Sequence, residues 1–236
     1  LVKGAYWDSE IKKAQIEGMS DYPVFTRKVH TDLSYIACAR KLLAAPDQIY
    51  PQFATHNAQS LATIYHMANP AKYYPGQYEF QCLHGMGEPL YEQVVGPKIE
   101  NKLGVPCRIY APVGNHETLL AYLVRRLLEN GANTSFVNRI ADKNLKVEDL
   151  IENPRQTIQE AQRKEGKTGQ KHLSIPFPID LYGFNRKNSS GLDLANDKDL
   201  LQLNETATKL MAHQWHAAPL GKEIVEDTSA VAENII

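Results

Sequence analysis

One pattern, repeated along the first 131 residues, limits what this chain can fold into: a short apolar stretch, a cluster of polar residues where it stops, then a helix. Leu1–Tyr6 reads as a buried strand whose end carries Lys3, Gly4, Tyr6 and Trp7, with Asp8–Gly18 as the charged helix after it. Val24–Val29 reads as a strand end or loop, and Thr31 or Asp32 caps a helix running to about Leu43. Gln52–His56 is a second strand, followed by a helix from about Ala58 to Met67. Tyr78–Leu83 is a third, followed by Gly85-Met86-Gly87 and a short helix from Pro89. Cys107–Ala111 is a fourth, leading into a helix over 115–131. Strand–helix repetition predicts a parallel α/β fold. Four units are half of an eight-fold barrel, where chemistry gathers at the points at which strands end and loops begin. The polar residues cluster at those points: Lys3 and Tyr6, Thr55 to Asn57, Gln81 to His84, and Tyr110.

At 236 residues and 43% hydrophobic, the chain can build one large domain or two small ones. A net charge of -1 offers no electrostatic footprint for nucleic acid. No apolar run is long enough to span a membrane, and no signal peptide is expected. Cys38, Cys82 and Cys107 are odd in number and widely spaced, which suits a reducing compartment. The chain opens on Leu1 within an apolar run, without a Met, so the natural protein is expected to begin upstream. Beyond Arg139 the character changes. Asp142–Gln170 reads as exposed helix and connector, Ile175–Pro178 as a segment extended by its prolines, and Asn185–Gly191 as a polar turn. Asp199–His216 is an amphipathic helix with Leu200, Leu203, Ala207, Leu210, Met211 and Trp215 as its stripe.

The helix over 115–131 carries the most chemistry. Asn115 can cap it, Glu117 suits its first turn and Gly131 is a natural stop. Leu119, Leu120, Leu123, Val124, Leu127 and Leu128 fall on one side. Tyr122, Arg125, Arg126 and Glu129 fall on the other. Guanidiniums bind carboxylates through two parallel hydrogen bonds, so this face suits a small acid. The plainer reading is a solvated face with an Arg125–Glu129 ion pair at i, i+4.

Elsewhere the residues leave alternatives open. Thr55-His56-Asn57 either holds a phosphate or ring edge, or caps a helix. Thr26 and Lys28 either contact a pyrophosphate or are solvated. Gly85-x-Gly87 lacks the third glycine of the dinucleotide fingerprint. Trp7 beside Tyr6 is a stacking wall or a core aromatic. Eight histidines show no H-x-H or H-E-x-x-H spacing, so no metal site is expected. Lys3 at a strand end is also where an aldolase-type barrel would place a Schiff-base lysine.

Leu1-Val2-Lys3-Gly4-Ala5-Tyr6-Trp7-Asp8, Phe53-Ala54-Thr55-His56-Asn57, Phe80-Gln81-Cys82-Leu83-His84-Gly85-Met86-Gly87 and Tyr122-Leu123-Val124-Arg125-Arg126-Leu127-Leu128-Glu129 together resemble one family. It is the proline dehydrogenase domain of bifunctional bacterial proline utilisation flavoproteins (PutA). From about Ser174, including Asp180-Leu181-Tyr182-Gly183 and Ser190–Asn196, the chain resembles the lead-in to that family's glutamate semialdehyde (pyrroline-5-carboxylate) dehydrogenase domain.

The resemblance implies that 1–141 is the C-terminal half of a (β/α)8 barrel (units 5–8), 142–173 a connector, and 174–236 the start of an aldehyde dehydrogenase-type domain. It implies FAD as cofactor and hydride transfer from C5 of L-proline to flavin N5, giving pyrroline-5-carboxylate. Tyr6, Tyr110, Arg125, Arg126 and Glu129 are then the catalytic positions. Arg125 and Arg126 take the proline carboxylate, and Tyr110, Tyr122 and Leu83 shape the pocket. Val2, Lys3, Gly4, Ala5, Trp7, Thr26, Lys28, Thr55, His56, Asn57 and Gln81 line the FAD. The family further implies NAD for the second domain, through a site outside this chain, and a membrane quinone as electron acceptor. It implies a homo-oligomer that is cytoplasmic and peripheral to the inner membrane, and DNA binding only through regions outside this chain. The N-terminal half of the barrel is an expected partner, and the 236 residues alone are expected neither to hold FAD tightly nor to turn over proline. Two other readings remain at this point: a lyase using Lys3, and a non-catalytic assembly segment.

Overall fold

A computed structural model describes residues 1–4, 6–131, 146–151 and 153–217. Ala5, residues 132–145 (the end of the expected barrel half and the first residues of the expected connector), Glu152 and the tail from Ala218 lie outside the described residues.

Three strands form one parallel sheet in the order β1-β2-β3: β1 (Gln52–Ala54), β2 (Glu79–Leu83) and β3 (Cys107–Tyr110). The expected first strand is not one. Leu1 alone makes a parallel rung on the edge of β1, donating its amine to Gln52 O at 2.7 Å and accepting from Ala54 N at 2.9 Å. The chain then turns away: Gly4 has φ 84° and Tyr6 φ 57°, and left-handed backbone cannot continue a ladder.

Alternation along the strands decides the two faces. Phe53, Phe80 and Cys82 point to a core shared with Tyr35 and Ala39 of α2 (Lys28–Leu43), Leu61 and Ile64 of α3 (Ala58–Met67), and Tyr91 of α4 (Glu88–Tyr91). Phe53, Phe80, Ile64 and Ala39 are fully buried, and each large side chain among them contributes roughly 2–3 kcal/mol by leaving water. The other face carries Gln52, Glu79, Gln81, Leu83, Arg108 and Tyr110. Glu79 is 4% exposed there. It accepts from Arg108 Nε at 2.6 Å and Nη2 at 2.9 Å, from Gln52 at 2.8 Å and from Tyr50 at 3.1 Å. Those donors, Arg108 foremost, hold its carboxyl down to about 2.

α1 (Trp7–Glu17) starts one residue before the expected helix. α2 starts at Lys28, so neither Thr31 nor Asp32 caps it; its N-cap, Arg27, makes no side-chain cap bond. After β3 comes α5 (His116–Gly131), capped as expected by Asn115, whose Oδ1 accepts from Thr118 N at 2.9 Å. A short α6 (Val147–Leu150) precedes α7 (Pro154–Glu165), which is capped by Asn153. α7 lies on α2, with Arg27 paired to Glu165 at 2.9 Å. The segment after it docks beside α1 and α2. Lys171 O accepts from Arg27, Thr26 Oγ1 accepts from His172 N at 2.8 Å, and Pro176 O accepts from Tyr22 Oη at 2.7 Å. Phe177 is extended, as expected of the run Ile175–Pro178, and a 3-10 turn over Pro178–Asp180 begins at the last residue of that run.

Contacts group Leu1–Ser190 as one unit and the chain from Gly191 as another. In the latter, α8 (Asp197–Met211) is capped by Asn196 and stops at Met211, short of the expected His216; its leucines are exposed.

Candidate active site

α5 presents its faces in the opposite sense from an ordinary amphipathic surface helix. The leucine side faces out, with Leu127 72% and Leu128 66% exposed. The side chains of Arg125 and Arg126, on the polar side, are only 19% and 17% exposed. The face is therefore half-buried, where the plainer reading has it solvated, and the Arg125–Glu129 ion pair of that reading is present at 3.6 Å.

Each guanidinium stands over an aromatic ring. Arg125 lies 4.3 Å from the centroid of Tyr6 and Arg126 lies 4.8 Å from that of Tyr122. Such stacking leaves the in-plane N–H groups free for an anion. Glu129 accepts from Arg126 Nη2 at 3.0 Å and so braces both arginines. Asp8, in the first turn of α1, takes Arg125 Nη1 at 3.3 Å. Three buried atoms here find no hydrogen-bond partner among the described residues: Arg125 Nε, Arg126 Nε and Tyr122 Oη. Buried donors of this kind normally have partners. Tyr6 reaches its place through its left-handed backbone, which costs a non-glycine residue about 1–2 kcal/mol. Strain of this sort collects at functional positions.

His56 borders the arginines. Burial pushes its pKa down from 6.5, the Arg126 charge pushes it further down, and Glu88 opposes. The ring is thereby held neutral, and its Nε2 accepts from Leu83 N at 3.0 Å. Gly87 turns at φ 77° directly beside it; a Cβ there would meet His56 Cδ2 at 3.1 Å. Leu83 and Tyr110 are register partners at the ends of β2 and β3. No hydrogen bond among the described residues ties the Tyr110 side chain to the arginines.

Of the other expected residues, Val2, Lys3, Gly4 and Thr26 line one open cavity of about 660 Å³. Lys3 Nζ donates to Asp32 at 2.6 Å and to Ser60 Oγ at 2.9 Å, and stands 4.9 Å from the Tyr35 ring centroid. Burial lowers its pKa, while Asp32 works the other way. Lys28 pairs with the same Asp32. Thr55 and Asn57 do structural work: Asn57 Oδ1 accepts from Ser60 N at 2.9 Å as the cap of α3, and Thr55 Oγ1 accepts from Asn57 N at 3.1 Å. Gln81 lies on the face of the sheet opposite the Phe53 and Phe80 core and donates to Glu79 at 3.3 Å. Trp7 is apart from this cavity, its indole given to Phe25 O at 2.8 Å, and it borders a separate cleft with Ile11, Gln15 and Pro176. Asp8 and Asp32 were not expected from sequence. The signal available for both was local, a first-turn acid and a helix cap, and it did not point to these partners.

A parallel sheet with polar strand ends, followed by a helix whose two arginines stack on aromatic rings, defines an α/β protein. Comparison with known proteins narrows this. The proline dehydrogenase family matches residues 1–139, and the chain belongs to that family. It is 63% identical over 227 residues to the bifunctional protein PutA of Klebsiella aerogenes, covering 96% of this chain and 17% of that protein. It is 56% identical over 220 residues to the bifunctional protein PutA of Rhizobium meliloti, again covering 17% of that protein. Among solved structures, proline utilization A (PutA) of Bradyrhizobium japonicum superposes with a TM-score of 0.75 at 48% identity, over 93% of this chain and 21% of that one. The chain thus spans about a sixth of the length of the curated relatives it matches.

Proposed function

We propose that this chain supplies the substrate-binding half of an FAD-dependent proline dehydrogenase, which oxidises L-proline to pyrroline-5-carboxylate within a longer bifunctional protein. One observation carries the reading: Arg125 and Arg126, stacked on Tyr6 and Tyr122, have buried Nε–H groups with no hydrogen-bond partner among the described residues, that of Arg125 facing Glu129 only at ion-pair distance, 3.6 Å. A proline carboxylate would satisfy them. Glu129 braces both guanidiniums, so the carboxylate's position fixes the ring's orientation. Tyr6, Tyr110, Tyr122 and Leu83 would border the ring. Asp8 is the carboxylate that the substrate displaces from Arg125.

The residues present fit a dinucleotide. The cavity beside Lys3 combines a cation, a flexible glycine and the hydroxyl of Thr26. Val2, Lys3, Gly4 and Thr26 would hold the cofactor there; Lys28, Thr55, His56, Asn57, Gln81 and Trp7, also read as cofactor residues, lie outside the lining of that cavity, and Ala5 lies outside the described residues. FAD, when bound, supplies the hydride acceptor for C5 of proline.

We further read 1–141 as units 5–8 of a (β/α)8 barrel, 142–173 as connector and 174–236 as the lead-in to an aldehyde dehydrogenase-type, NAD-dependent domain. The exposed leucines of α5 and exposed Ile109 on β3 support a barrel completed by chain outside these residues. No helix among the described residues is long and apolar enough to cross a membrane. We place the intact protein in the cytoplasm as a homo-oligomer that meets the membrane peripherally to pass electrons to a quinone, with any DNA contact made by other regions.

The visible spectrum of the full-length protein, recorded before and after anaerobic L-proline, tests the reading. A flavin spectrum that bleaches on addition is the expected result. A colourless protein, or a flavin untouched by proline, overturns it.

A further inference from the structure

Lys3 and Lys28 come from different segments, one before α1 and one opening α2, yet a single half-buried carboxylate receives both. Asp32 takes Lys3 on Oδ1 and Lys28 on Oδ2. Lys3 lines the 660 Å³ cavity, and Asp32 is not among its lining residues. Ser60, at the start of α3, and the Tyr35 ring complete the seat of the Lys3 ammonium. Two ammonium groups this close repel, and burial disfavours the charge on Lys3, so a lysine pair of this kind needs a fixed anion behind it.

We propose that Asp32 is a positioning residue for the cofactor site: standing behind Lys3, it keeps the two ammonium groups together and aims Lys3 at the diphosphate of a bound dinucleotide. This rests on the function proposed above. Burial alone would raise the Asp32 carboxyl, but the two lysines outweigh it and hold it ionised below its ordinary range.

The test is a mutant cycle on FAD affinity, read by flavin fluorescence in the full-length apoprotein, with thermal unfolding as the check on folding. Asp32→Asn should weaken FAD binding about tenfold, the worth of one charge-assisted hydrogen bond. The same substitution in a background carrying both Lys3→Met and Lys28→Met should change it less than about twofold, because Asp32 acts through these two lysines. Asp32→Glu, which keeps the charge, should recover most of the affinity and serves if the asparagine variant does not fold. Equal loss in both backgrounds means Asp32 only supports the fold, and unchanged affinity in Asp32→Asn means it does nothing for the site; either overturns the proposal alone. A full-length protein that binds no FAD overturns the proposed function and this inference together.

Discussion

Replacing Arg126 by methionine in the full-length protein removes one guanidinium while leaving a long side chain over the Tyr122 ring. The native group is 17% exposed, donates to Glu129 through Nη2 and keeps a buried Nε without a partner among the described residues. A proline carboxylate on this group gains one or two charge-assisted hydrogen bonds, at about 1.5–3 kcal/mol each. Part of that is offset because Glu129 already shares the charge. A net loss of about 3 kcal/mol remains, and at about 1.4 kcal/mol per decade it corresponds to roughly a hundredfold weaker proline binding. Steady-state kinetics on the purified variant should show the proline KM rising by about that factor. The visible spectrum should show FAD retained, since Arg126 stands apart from the cavity lined by Lys3 and Thr26. A KM within about threefold of the parent would refute the carboxylate assignment, because no charge-assisted bond is worth so little on a half-buried face of this kind.

Two further outcomes concern pH. His56 is depressed below 6.5 in the folded protein by burial and by Arg126. The unfolded chain therefore takes up a proton first as pH falls, and stability present above about 6.5 declines below it; His56→Gln should flatten that part of a thermal-stability profile, and an unchanged slope would exclude His56 as its source. Glu79 is held down to about 2 against an ordinary 4.5. Its contribution is present above about 4.5 and is lost as pH falls toward 2, so Glu79→Gln should cost about 2 kcal/mol near neutral pH in denaturant unfolding, and its deficit should shrink in acid.

Much of the architecture is legible in the residues because it is local. Phe53 and Phe80 sit in short apolar runs with polar ends, which mark β1 and β2. Asn57 and Asn115 open α3 and α5 with side chains that reach only three residues ahead. Leu1–Tyr6 misleads because an apolar run predicts a strand only where a ladder partner follows it throughout. Here Leu1 pairs once before left-handed backbone at Gly4 and Tyr6 ends the rung.

The sequence by itself determined that α5 has an apolar and a polar side, that Arg125, Arg126 and Glu129 share the latter, and that the chain belongs with proline dehydrogenases. The tertiary structure alone decided which side turns inward. It also set Tyr6 beneath Arg125 and brought in Asp8, 117 residues away, and it tied Lys3 and Lys28 to Asp32. Periodicity reports the spacing of side chains along one helix. It carries no information about the charge that another segment delivers to that helix, and that charge decides whether an arginine is a solvated surface group or a buried donor awaiting an anion.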